Sequence, residues 1–119
     1  MYIIKPKTII DYLVCKEGTH EHEKCLLLFD KLNSKQLNVF LDMTVFIETF
    51  NHLYYVIGMN KDDICHFFTV FINLKSVKMD VEKSIVLRAI NHFHADRNKL
   101  RIQDHYISAL IKKRKYKSI

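Results

Sequence analysis

Gln36-Leu37-Asn38-Val39-Phe40-Leu41, followed by Asp42, Met43 and then Thr44 through Ile57, changes its apolar period in mid-course. Leu37, Val39 and Leu41 alternate, the two-residue repeat of a strand with one buried face. Beyond Thr44, a residue type that caps helices, Phe46, Ile47, Phe50, Leu53, Tyr54 and Ile57 recur at helical spacing. A strand therefore feeds directly into a long helix. The apolar arc of that helix is centred between Phe46 and Phe50, which leaves Glu48 on the opposite side.

The same alternation of periods extends to both ends of the chain. Upstream, Tyr2 to Lys5 forms a β-type run that Pro6 stops, because proline cannot donate to a ladder. Thr8 then opens a short helix with Ile9, Ile10, Leu13 and Val14 on one side, ended in the Gly18 region. Thr19 to Leu32 forms an amphipathic helix with acids in its first turn. Downstream, Gly58 breaks the pattern, and Asn60 with Asp63 makes a capping arrangement for a helix through Ile64, Phe67, Phe68, Phe71 and Leu74. Val77 to Val81 predicts a third strand, Glu82 to about His94 a helix, and Ile102 to Arg114 the last helix. The order β-α-α-β-α-α-β-α-α favours a parallel sheet with helices on both faces, since antiparallel hairpins need tight turns. The functional crevice of such a sheet lies outside the carboxyl ends of its strands, near Lys5, near Asp42 and in the loop after the third strand.

The composition narrows the function classes. A chain of 119 residues with 49% apolar residues makes one compact domain, 1–119, and a content of Gly 2 and Pro 1 argues against an all-β sandwich or barrel. Two glycines cannot build a phosphate-cradling loop, and neither a Walker motif nor Gly-x-Ser-x-Gly occurs. Lys112, Lys113, Arg114, Lys115 and Lys117 account for five of the 19 basic residues, and the remaining 14 nearly balance 13 acids. The net charge of +6 is thus concentrated in a basic C-terminal tail, 112–119, suited to salt-sensitive and nonspecific contact with RNA phosphates. Cys15, Cys25 and Cys65 lie in apolar helical patterns and fit a reducing cytoplasm, and no apolar run is long enough to cross a membrane. His20/His22 and His92/His94 lack the i, i+4 spacing of a zincin helix.

Met1-Tyr-Ile-Ile at the start, Ile9-Ile-Asp-Tyr-Leu13, Glu48 in the helix after the second strand, and Asp104-His-Tyr-Ile-Ser-Ala-Leu110, taken with the element order, resemble the PIN domain. The resemblance covers nearly the whole chain and is closest to the small VapC-type toxin ribonucleases. It implies a three-layer α/β/α fold with a central parallel sheet. It also implies acids at the strand ends that hold Mg²⁺ or Mn²⁺, which activates water against an RNA phosphodiester. Glu48 and Asp104 match two of those acids.

The departures are chemical reversals. Where the family ends its first strand in an Asp-Thr-Asn form, this chain has Lys5-Pro6-Lys7, and Arg101 stands where an acid often precedes the Asp104 position by three residues. The family's further strand with a Thr- or Ser-x-Asp acid has no counterpart before Ile119, where Tyr116 to Ile119 makes only a stub. An ammonium about 4 Å from a carboxylate is worth about 4 kcal/mol at an effective dielectric near 20, so Lys5 is expected to pair with Glu48 and Asp104 in the metal's place. The expectation is a degenerate PIN-like domain without metal-dependent nuclease activity or cofactor, acting through partner or RNA binding. The alternative is an active Mg²⁺- or Mn²⁺-dependent endoribonuclease in which Asp11 or Asp42 joins Glu48 and Asp104. The resemblance further implies a homodimer and an antitoxin-like protein partner. Exposed aromatics on the helices Phe46 to Ile57 and Ile64 to Leu74 are candidates for either contact.

Overall fold

A computed structural model describes residues 2–96 and 100–114. In chain order it contains β1 (Tyr2–Ile3), α1 (Pro6–Val14), α2 (His20–Asn33), β2 (Val39–Phe40) and α3 (Met43–Asn51), which runs on into a π-helical turn (His52–Ile57). Then follow α4 (Lys61–Asn73), β3 (Val77–Lys78), α5 (Lys83–Ala95) and α6 (Ile102–Arg114). The predicted order of strands and helices is therefore the order found. The strands pair in parallel as β1-β2-β3, with Tyr2 opposite Val39 and Val39 opposite Val77.

The expected three-layer α/β/α PIN-like fold is nevertheless not what the chain forms. Helix makes up 70% of the described chain, and each strand has only two residues. The strands are short because neighbouring helix ends and turns take their backbone donors. Lys35 adopts a left-handed φ of 63° just beyond α2, and the Gln36 and Leu37 N–H groups both donate to the Lys31 carbonyl. That closure spends the first half of the predicted second strand on the C-terminus of α2. At the other end Asp42 caps α3, its carboxylate accepting from the Thr44 N–H at 2.9 Å, so the helix begins before Thr44 and Thr44 is not its cap. Pro6 enters α1 at its first position, where its missing N–H costs nothing. Val77 donates to Leu74 in a turn at the entry to β3. The sheet is a narrow seam between helices.

Thr19 and Asn60 cap α2 and α4 as their sequence positions predict. The core is aromatic. Phe46, Phe50, Phe68 and Phe93 meet largely edge to face, and a second group joins Phe29, Phe67 and Phe71 to Tyr12, which stacks on Phe29 at 3.9 Å. Of the phenylalanines of α3 and α4, Phe46, Phe50, Phe68 and Phe71 are buried, and Phe67 is half-buried against them. The π-helical turn explains where the 3.6-residue pattern fails. Its wider winding turns less per residue and retards the phase, leaving Ile57 exposed beside Tyr55 and Val56 although the sequence pattern continues through Ile57. No helix among the described residues is long and apolar enough to cross a membrane.

Candidate functional site

Of the acids singled out in the sequence, Asp104, Asp11 and Asp42 each have a local partner. Glu48 is exposed on α3, on the side away from Phe46 and Phe50, as the helical wheel predicts. Asp104 is exposed in the first turn of α6, where its carboxylate accepts the Arg101 N–H at 3.2 Å, half of a capping box that stabilises the helix start. The Arg101 guanidinium lies 5.2 Å over the Tyr55 ring. Lys5 is exposed immediately before α1, and among the described residues no ion pair joins it to Glu48 or Asp104. Asp11 is bound by Lys7 at 2.6 Å, and Asp42 is occupied with its cap. No group of three or more His, Cys, Asp or Glu among the described residues could hold a metal ion. Of the basic tail, Lys112 and Lys113 are exposed on the last turn of α6 and Arg114 ends that helix, whereas Lys115, Lys117 and the stub at 116–119 lie outside the described residues.

The large concavity is elsewhere. A cleft of about 710 Å³ lies beside β1, between it and α1 and α2, rather than at the carboxyl ends of the strands. Its apolar lining comes from Tyr2, Ile3, Ile4, Leu27, Leu28, Leu37 and Val39, and its charged lining from Lys7, Asp11, Glu21, Lys24 and Lys31. Local sequence explains this composition. On α2 the residues Lys24, Leu27, Leu28 and Lys31 recur at three- and four-residue intervals, so they share one face of the helix. Phe29 and Leu32, out of phase with them, enter the core. The result is an exposed ridge with Leu27 61% accessible, facing a strand whose Tyr2 and Ile3 are 68% and 66% accessible. The Asp11 carboxylate holds the Lys7 ammonium above the ordinary lysine value.

A second polar cluster joins α4, α5 and α6. Asp96, which ends α5, places its Oδ2 2.8 Å from His105 Nε2 and also accepts the Leu100 N–H at 3.1 Å. Both side chains of the pair are almost fully buried. Lys61 reaches from α4 over the Phe93 ring and donates to the Asp96 carbonyl at 3.1 Å. Nearby, His94 pairs with Asp62 at the surface. The sequence reading passed over Asp96. An isolated acid at the end of a helix carries no motif, and its partner lies nine residues further along the chain.

Of the cysteines, Cys65 is the most perturbed, burial pushing its thiol up to about 11. Burial also raises Cys15 and Cys25 above the ordinary thiol value. The Cys65 displacement has a signed consequence for stability. Between pH 9 and 11 the unfolded chain ionises Cys65 while the folded chain resists, so this stabilising contribution is complete below pH 9 and lost as pH rises. Relative to Cys65→Ala, the native protein should lose roughly 2–3 kcal/mol more across that interval, measured by urea titration at each pH. Parallel curves for the two proteins would contradict the assignment.

Comparison of the chain with family models, with curated proteins and with solved structures returns no match.

Proposed function

We propose that the chain is a protein-binding module without metal-dependent nuclease chemistry, and that the cleft between β1, α1 and α2 is its contact surface. The observation that carries this reading is the cleft itself: apolar side chains left accessible on both walls beside a strand that, among the described residues, has a neighbour on one side only. Contiguous accessible apolar surface rimmed by charge is the usual mark of a recognition site. Against the ribonuclease reading stand the local roles of the acids, with Asp104 and Asp42 capping helices, Asp11 bound to Lys7, and Glu48 exposed on α3. The exposed Lys112 and Lys113 support a salt-sensitive attraction to phosphates, which binds without selecting.

The test is cleavage of a structured RNA in Mn²⁺ or Mg²⁺ by the purified chain, compared with Glu48→Ala and Asp104→Ala. All three proteins are expected to give the same background products. Metal-dependent cleavage by the native chain that Glu48→Ala abolishes without lowering the melting temperature would defeat the proposal.

A further inference from the structure

Resting on the binding-module reading, we infer that the cleft takes an extended acidic and apolar segment of another protein, which pairs with the free edge of β1 and sets its carboxylates against Lys24 and Lys31. Three observations converge on that occupant. First, Tyr2 and Ile4 donate their N–H groups to Asn38 and Phe40 of the β2 segment, so the N–H and C=O of Ile3, which alternate with them, point away from β2. Among the described residues β1 has no second neighbour. An outward-facing donor and acceptor beside an apolar trough are what an added strand uses, the main chain supplying affinity and the side chains selectivity.

Second, the wall opposite β1 presents a defined charge pattern. Lys24 and Lys31 are seven residues apart on α2, two turns along one face, which separates them by about 10 Å. They bracket Leu27 and Leu28, and among the described residues neither has an ion-pair partner, whereas Lys7 is already bound to Asp11. Glu21, the other acid of the lining, lies in the first turn of α2, where the helix dipole favours its charge. The cations left to recognise an occupant are the two lysines, and carboxylates on an extended segment complement them.

Third, the same charges decide against a second copy of this chain. A partner copy offering its own β1 would bring Lys5, which follows that strand directly, toward Lys24 and Lys31, whereas its Lys7 is already paired with Asp11. Like charges brought together at an interface suppress association, while opposite charge at the same place favours it.

The probe is an eight-residue capped peptide alternating valine and glutamate, with a second in which lysine replaces glutamate, titrated against the full chain by fluorescence anisotropy. The acidic peptide is expected to bind at least tenfold more tightly than the basic one. The double variant Lys24→Glu/Lys31→Glu is expected to reverse that order. Ile3→Pro removes the outward N–H together with an exposed side chain of the cleft wall and leaves the Tyr2 and Ile4 donors to β2 in place, so it is expected to abolish binding with an unchanged melting temperature. Should Ile3→Pro unfold the chain, the charge reversal on exposed α2 positions decides alone. Equal binding of the two peptides, no binding of either, or a charge reversal without effect overturns the inference. Sedimentation showing a dimer that Lys24→Glu/Lys31→Glu alters also overturns it, since the occupant is then a second copy. That last result leaves the binding-module reading standing, which falls only to metal-dependent cleavage through Glu48.

Discussion

Phe50→Ala is expected to lower the unfolding free energy by about 3–5 kcal/mol, the range for truncating a buried phenylalanine. The side chain is fully buried and its ring meets those of Phe46, Phe68 and Phe93 at centroid distances of 5.7, 5.5 and 5.1 Å. Those rings belong to α3, α4 and α5, so removing the central one opens a void that no single helix can close by shifting. Domains of this size are stable by about 5–15 kcal/mol, so the loss is a large share of the total. Leu27→Ala, on the accessible ridge of the cleft, should cost less than about 0.5 kcal/mol. Urea titrations followed by circular dichroism separate the two. Equal midpoints would mean that the aromatic cluster does not hold these helices together.

Asp96→Ala is expected to cost about 2–4 kcal/mol, because it leaves the buried His105 nitrogen without its acceptor and frees the Leu100 N–H at the same time. The pair joins the end of α5 to α6, and its almost complete exclusion from water makes an unmatched partner expensive. Asp96→Asn keeps an oxygen in place and should cost less. Asp62→Ala breaks the neighbouring but exposed pair with His94 and should cost under about 1 kcal/mol. If Asp96→Ala proves no worse than Asp62→Ala in the same titration, the buried pair is not what ties α6 to the end of α5. The comparison tests burial as the controlling variable, since both pairs join a carboxylate to an imidazole.

Much of the helical framework was legible residue by residue. Thr19 and Asn60 announce helix starts because their side-chain oxygens accept the N–H groups that a first turn leaves unpaired. Phe46 and Phe50 lie inside and Glu48 outside because their spacing assigns them to opposite sides of one helix. The candidate site was less legible. The expected pairing of Lys5 with Glu48 and Asp104 depended on three distant chain positions converging, and no local pattern encodes that convergence. The cleft depends on an edge as much as on a motif. Tyr2 and Ile3 read as ordinary strand residues, and only the strand order, among the described residues, leaves one side of them unpaired.

Sequence alone determined the succession of strands and helices, the parallel connection that long crossovers impose, the aromatic identity of the core and the location of the basic residues, all of which follow from short-range period, capping chemistry and composition. The tertiary structure alone decided how little of each strand becomes sheet, which of the helical apolar residues remain accessible, and that Asp96 is sealed against His105 while Asp104 caps the start of its own helix. The physical reason is competition for the same groups. A backbone N–H or a carboxylate can satisfy its own helix end or a distant partner, and which one wins depends on where packing brings the distant partner.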